Sequence, residues 1–405
     1  MNKPELLSPA GNLDILKIAI KYGADAIYCG TPAFAMRARV GFDLSTLKEG
    51  IEFAHKKGKK VYVTLNAFPH ALDIDKMKEH IDKLIALAPD AFIVADPGLI
   101  EYLKSITDIP LHLSTQANTT NQLSANFWHR QGVERIVLAR ELSLEEIAKI
   151  HQESKVEIEC FIHGAMCMAY SGRCQISNYL TSRDPNQGQC IQACRFKYKI
   201  YELEEDLREG ERFPIYEDEE GTHLLNSKDL CMIKHLGELI EAGAISLKIE
   251  GRLKTEYYVA SVTKAYRQAI DDLFADRQIY EKNLDKYFTE LEKTSNRGFT
   301  TGFYLGKPTD DANNYERSKA TSEWGYIGRV LGYDSQNLTF ECKNHLLLGQ
   351  TLELITPTGL EEIKLTKMTR GDEEVAEAHS GNNITITHHS QLADIDTNSL
   401  LRAKL

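Results

Sequence analysis

Residues 158–163 read Ile-Glu-Cys-Phe-Ile-His, and residues 246–250 read Ser-Leu-Lys-Ile-Glu. In an extended chain, residues two apart share a face. Glu159, Phe161 and His163 therefore oppose Ile158, Cys160 and Ile162, while Ser246, Lys248 and Glu250 oppose Leu247 and Ile249. The pattern recurs upstream, with Tyr62, Thr64 and Asn66 against Val61, Val63 and Leu65. It recurs again with His112, Ser114, Gln116 and Asn118 against Leu111 and Leu113. Such strands cover their apolar faces with helices and turn their polar faces to an interior.

Working outward, eight strand-like runs emerge: Glu5–Ser8, Ala26–Gly30, Val61–Asn66, Ala91–Asp96, Leu111–Asn118, Arg135–Arg140, Ile158–His163 and Ser246–Glu250. Amphipathic helical patterns separate them, among them Asn12–Lys21, Leu44–Lys57, Asp73–Ala88, Leu142–His151 and Met232–Ala242. Alternating βα units with eight strands predict an α/β fold, a (β/α)8 TIM-type parallel barrel, whose usual size of about 250 residues suits the span. A doubly wound open sheet is the alternative. Polar residues gather at the strand C-terminal ends: Asn66, Asp96, Asn118, Arg140, His163 and Glu250. Barrel enzymes place their active sites at that end, and burying so many polar groups without a use for them is costly.

The connection between the seventh and eighth strands, from Gly164 to about Ala244, far exceeds a usual βα loop. It carries Cys167-x6-Cys174-x15-Cys190-x3-Cys194. Four thiols within one loop's reach predict a metal or iron–sulfur site. Structural zinc prefers knuckles with two to four intervening residues, and only Cys190-x3-Cys194 has that spacing. The wider gaps suit a [4Fe–4S] cluster better, with zinc as the alternative cofactor. Cys29, Cys160 and Cys342 sit in apolar strands and read as core. Cys231 is ambiguous, a reserve ligand or a packed thiol at a helix start.

Downstream, helical patterns at Glu256–Phe274 and Tyr280–Lys293 precede short strands without helical periodicity: Gly325–Leu331, Leu338–Cys342, Thr351–Ile355, Glu362–Thr366 and Ile384–Thr387. The expected organisation is a barrel over residues 1–295 with its Cys-rich insertion at about 164–244, a linker over 296–320, and a small C-terminal β-barrel over 321–405.

The formal net charge of −11 excludes polyanion binding through overall charge, though not through a local basic groove. The acidic run Glu202–Glu220 reads as a solvated loop. No run of 18 apolar residues appears, and the N-terminus lacks the apolar core of a signal peptide, so the expected location is cytoplasmic, with no membrane partner. The eight cysteines are then expected reduced and available for ligation.

The segment Glu159–Ser177, ECFIHGAMCMAYSGRCQIS, resembles the signature of the collagenase-like peptidase family U32 along its whole length. The likeness continues through Leu7–Gly11, Asp184-Pro185-Asn186, Cys190 with Cys194-Arg195, Asn226–Asp229, Lys248–Arg252 and Asn296–Gly302. Within the family the chain is most similar to the tRNA hydroxylation group. That resemblance implies oxygen-independent hydroxylation of the wobble uridine of tRNA to 5-hydroxyuridine, prephenate as co-substrate, and a [4Fe–4S] cluster on Cys167, Cys174, Cys190 and Cys194. Other branches act on ribosomal RNA or ubiquinone precursors, so ribosomal RNA is an alternative substrate, and a second family member is an open partner. Proteolysis, the activity in the family's name, draws little support. No His-Glu-x-x-His or Gly-x-Ser-x-Gly motif is present, and a Cys167–His163 pair is weak because a ligating thiolate makes a poor nucleophile.

Within this scheme the candidate catalytic residues are His163, Glu159 as its orienting partner, Lys248 and Glu250. Arg140 and Arg252 are candidates for the two carboxylates of prephenate, because guanidinium matches carboxylate geometry. Arg37, Arg39, Asn66 and Asn118 complete the candidate substrate-binding set. Arg183, Arg195, Lys197 and Lys199 are candidates for RNA phosphate.

Overall fold

The computed structural model describes residues 2–35, 41–166, 176–181, 183, 189–192, 217–218, 221–222, 227–307 and 322–405. Eight parallel strands form the first body: β1 (Glu5–Pro9), β2 (Ala26–Cys29), β3 (Lys60–Leu65), β4 (Ala91–Val94), β5 (Leu111–Leu113), β6 (Arg135–Val137), β7 (Glu157–Ala165) and β8 (Ala244–Ile249). Each pairs with its successor, and β8 pairs with both β7 and β1, so the sheet closes into a barrel. Helices α1 (Leu13–Lys21), α2 (Leu44–Lys56), α3 (Ile74–Ile85), α4 (Pro97–Ile106), α5 (Gln122–Arg130), α6 (Leu144–Glu153), α7 (Leu236–Glu241) and α8 (Glu256–Ala275) alternate with the strands. The expected (β/α)8 architecture is the observed one. None of the described helices is long and apolar enough to cross a membrane.

The outward sides of the strands, such as Val61, Val63 and Leu65 of β3, join the helices in one continuous apolar core. The inward sides make a much smaller apolar cluster of Leu7, Ala26, Tyr28, Tyr62, Ala91 and Ile93. Polar and charged side chains occupy the remaining interior, as the alternation predicts.

Three local expectations are corrected. Strand β5 stops at Leu113 because the Ser114 hydroxyl accepts the Gln116 N–H and opens a 3₁₀ turn over Thr115–Ala117. Asn118 closes that turn at φ 53°, so it no longer follows the strand alternation. Asp96 does not point into the mouth, because its carboxylate caps α4 by accepting the Leu99 N–H at 2.9 Å. Residues 296–302 are not linker. The strand Phe299–Thr300 pairs with Asp229–Leu230, which lies antiparallel against the end of β7.

The C-terminal region is an eight-stranded antiparallel sheet. Its main strands are β9 (Trp324–Tyr333), β10 (Asn337–Cys342), β11 (Thr351–Ile355), β12 (Leu360–Lys364), β13 (Asn383–Thr387) and β14 (Leu400–Lys404). The sheet has its own apolar core, centred on Ile327, Val330, Phe340, Leu354 and Leu401. It docks on α1, α8 and α9 (Leu284–Glu292), where Ile18, Tyr22, Tyr257 and Ala260 meet Ile355 and Leu400. The Tyr22 hydroxyl donates to the carbonyls of Ile355 and Asn398 at 2.9 and 3.0 Å. Arg402, fully buried, donates to Glu353 at 2.6 Å and to Glu290 at 2.7 Å.

Candidate active site at the barrel mouth

Inside the barrel, a charged layer lies beneath the mouth. Arg135 at the start of β6 reaches Glu5 of β1 at 2.6 Å, Glu157 at 2.8 Å and Glu159 at 3.6 Å. Lys248 of β8 donates to Glu159 at 2.7 Å. The Ser246 hydroxyl donates to Glu159 and Glu5, and the Tyr62 hydroxyl donates to Glu5 at 2.6 Å. Burial alone would raise the Glu159 carboxyl, but the positive charges of Lys248 and Arg135 outweigh it and hold it below the usual carboxylate range. Burial pulls Lys248 down, against the attraction of Glu159. Its ammonium lies 4.4 Å from the Tyr28 ring centroid. Glu159 therefore acts on Lys248 and not on His163.

His163 departs most from expectation. A bulge shifts the β7–β8 register, pairing Phe161 with Lys248 but His163 with Ile249. Ile162 is the extra residue, so His163 leaves the interior face of Glu159 and joins the helix-facing side with Ile249. There Tyr258, Tyr266 and Phe299 enclose its ring at centroid distances of 5.5–5.9 Å. Burial lowers its pKa to about 3. A group that weakly basic cannot deprotonate a thiol near neutral pH, which further weakens the Cys167–His163 nucleophile pair. Cys231 shares this outer pocket; burial raises its thiol to about 11, and the Tyr266 hydroxyl lies 3.7 Å from its sulfur.

Above the charged layer, residues that follow β3, β6 and β8 come together. Arg140, following β6, lies with its guanidinium carbon 3.8 Å from the Phe161 ring centroid and Nη2 3.5 Å from Glu250. Arg252, following β8, donates to Thr64 of β3 at 2.8 Å. Gly30 is required beside this pair, because a Cβ there would lie 2.4 Å from the Thr64 hydroxyl and 2.9 Å from Arg252 Nη1. Asn66 donates to the Ser114 hydroxyl at 3.1 Å. The Asn118 side-chain oxygen is buried without a hydrogen-bond partner, as is the hydroxyl of Thr119. A buried acceptor without a donor is costly unless something supplies one.

Of the cysteine quartet, Cys190 is described: a half-buried free thiol. The Gln192 N–H donates to its sulfur at 3.4 Å, and the Ser177 hydroxyl lies 3.9 Å away. Hydrogen bonds to sulfur are a common feature around cluster-bound cysteines, so this residue fits the group expected of it. Cys167, Cys174, Cys194, Arg37, Arg39, Arg195, Lys197 and Lys199 lie outside the described residues, and Arg183 is exposed.

Sequence reasoning missed Glu5, Arg135 and Tyr28. Arg135 carried a readable signal, a charged residue opening an apolar strand and sharing register with Glu157. Glu5 and Tyr28 carried none, because their partners arrive from strands 57 or more residues away.

The profile of Peptidase family U32 matches residues 11–314, and that of its C-terminal domain matches residues 322–402. The chain belongs to peptidase family U32. Among U32 relatives, tRNA hydroxylation protein P of Haemophilus influenzae is 39% identical, with 94% of this chain and 91% of the relative covered. The protein of the same name from Helicobacter pylori is 44% identical over 88% of this chain and 84% of its own. The 23S rRNA 5-hydroxycytidine C2501 synthase of Escherichia coli is 37% identical over 88% of this chain, but only 52% of that protein is covered.

Proposed function

We propose that this chain hydroxylates the wobble uridine of tRNA to 5-hydroxyuridine without molecular oxygen. Prephenate is the co-substrate and Cys167, Cys174, Cys190 and Cys194 hold a [4Fe–4S] cluster. The observation that carries this reading is similarity, through both the barrel and the sheet, to proteins named for tRNA hydroxylation. Ribosomal RNA is the weaker choice, since the relative named for it is about twice as long as the matching region.

When bound, the cluster would supply redox chemistry at the mouth. The chain's own residues would do the rest. Arg140, held flat on Phe161, and Arg252, braced on Thr64, present guanidinium groups suited to the carboxylates of prephenate. Asn66, just after the end of β3, offers an amide suited to the edge of a flipped uracil. Lys248 sets a positive charge under the mouth, with Glu159 keeping it oriented. Glu250 restrains Arg140. Arg37, Arg39 and Arg183 suit the tRNA backbone.

The test is nucleoside mass spectrometry of tRNA from a deletion strain, complemented with the wild-type chain, Cys174→Ser or Arg140→Lys. The expected result is loss of 5-hydroxyuridine-derived nucleosides, restored by the wild-type chain alone. Unchanged nucleosides in the deletion strain would overturn the substrate. Anaerobic purification followed by iron and sulfide analysis tests the cofactor, and a colourless protein carrying one zinc would overturn the cluster. Gelatin cleavage surviving Cys174→Ser would favour proteolysis.

A further inference from the structure

In the C-terminal sheet region, the two-residue strands Leu346–Leu347 and Glu377–Ala378 pair antiparallel, with Leu346 opposite Ala378 and Leu347 opposite Glu377. One step along that register, His345 falls opposite His379. Their rings lie side by side, with centroids 5.0 Å apart and planes inclined by 17°. Glu377 precedes His379 by two residues, and alternate residues of a strand share a face. Its carboxylate contacts both rings, with Oε2 3.2 Å from His345 Nε2 and Oε1 3.9 Å from His379 Nε2. One donor atom from each of the three residues lies within 4.8 Å of the others.

We propose that His345, Glu377 and His379 form a binding site for a zinc-class divalent cation, separate from the cysteine quartet and the barrel mouth. Two imidazoles and one carboxylate are a ligand set for zinc, and three protein ligands leave a fourth position for water or an anionic oxygen. Metal–ligand bonds of about 2.1 Å in a tetrahedral site place the donors roughly 3.4 Å apart. The movement needed is a little over an ångström. The paired backbones set the three Cβ positions, and side-chain torsions can make the adjustment because all three side chains are half or more exposed. Exposure also keeps the desolvation cost small.

A divalent cation would use all three groups together, one donor atom from each. The site joins two strands, at residues 345 and 377–379, that are otherwise held by a short ladder. Binding only the folded state, the metal would staple this two-stranded ladder.

The experiment is calorimetric titration of the full chain with Zn²⁺, comparing wild type with His345→Ala, His379→Ala and Glu377→Gln. The expected result is one fewer Zn²⁺ in either histidine variant and a weakened but detectable site in Glu377→Gln. Loss must also persist in a Cys174→Ser background, which separates it from the cysteine quartet. A Co²⁺ titration adds a spectroscopic readout. The site should give visible d–d bands without the near-ultraviolet charge transfer that thiolate ligands produce, and those bands should vanish in His345→Ala. Equal Zn²⁺ stoichiometry and affinity in wild type and His345→Ala would overturn the proposal, as would Co²⁺ spectra that the histidine substitutions leave unchanged. Circular dichroism of each variant checks the fold, and the exposed positions make misfolding an unexpected outcome.

Discussion

The interior of the barrel and the core of the C-terminal sheet solve the same packing problem in opposite ways. The sheet buries Ile327, Val330, Phe340, Leu354 and Leu401 with hardly a charge among them. The barrel interior buries Arg135, Glu159, Lys248 and His112, with Glu5 partly buried beside them, around a small apolar cluster. Replacing such a charged layer with hydrophobic residues is often neutral or stabilising, so it is a poor device for stability alone. The difference teaches where the chemistry lies. The sheet is built to fold and dock, whereas the barrel spends desolvation to hold a positive group under its mouth.

The largest stability effect should come from breaking the charged layer. Glu159→Gln leaves Lys248 buried without its counter-charge, and urea unfolding should show a loss of about 3–5 kcal/mol. Glu159→Leu with Lys248→Met should recover much of that stability while the proposed hydroxylation of tRNA stays absent. If the single variant costs under about 1 kcal/mol, the charged layer is hydrated and the contrast with the sheet fails.

Arg402→Met comes next. Arg402 joins the two regions through Glu353 and Glu290, but Lys293 still holds Glu353 at 2.9 Å when it is removed. A loss of about 2 kcal/mol is expected, with the urea transition separating into two steps as the sheet and barrel unfold independently.

A pH effect of smaller size follows from buried neutral histidines. Burial, the largest cause, holds both His112 and His163 at about 3, against an ordinary value of about 6.5. Between those values the unfolded chain binds protons that the folded chain does not, so stability rises with pH in that window. The melting temperature should be flat above about pH 6.5 and fall from there towards pH 5, before carboxylates such as Glu159 begin to contribute. His163→Phe, which keeps an aromatic ring among Tyr258, Tyr266 and Phe299, should reduce that slope by about half, with His112 supplying the rest. A slope unchanged in His163→Phe would show that the buried imidazole is not its source.

The smallest stability change is expected at the mouth. Arg140→Lys keeps the charge near Glu250 but loses the planar stack on Phe161, a change of about 1 kcal/mol or less in unfolding. Complementation by this variant should nevertheless leave 5-hydroxyuridine near background. Full complementation would remove Arg140 from the substrate site.

Much of the site was legible because a parallel strand places alternate residues on one face whatever its partners are. Thr64, Asn66, Lys248, Glu250 and Arg252 follow from that rule, and Arg140 from its place after a strand end. His163 was misread for one reason. A single extra residue in β7 reverses the face of everything after it, and neither Phe161-Ile162-His163 nor Ile249 carries a signal of a bulge. Gly164 at φ 104° is the nearest local trace, since a Cβ there would lie 2.7 Å from the Glu250 carbonyl. Asp96 and Asn118 were misplaced because a polar residue at a strand end can serve a helix cap or a turn as readily as a mouth.

By itself, the sequence determined the barrel, the insertion with its four clustered thiols, and the change to an all-β C-terminal region. Each of these is written in local periodicity or spacing, which needs no distant partner. Only the tertiary structure decided which charges meet inside the barrel, which side His163 takes, and that His345 stands opposite His379. Those are matters of register between strands, set by hydrogen bonds across the closed sheet and the short two-stranded ladder, and no single segment carries them.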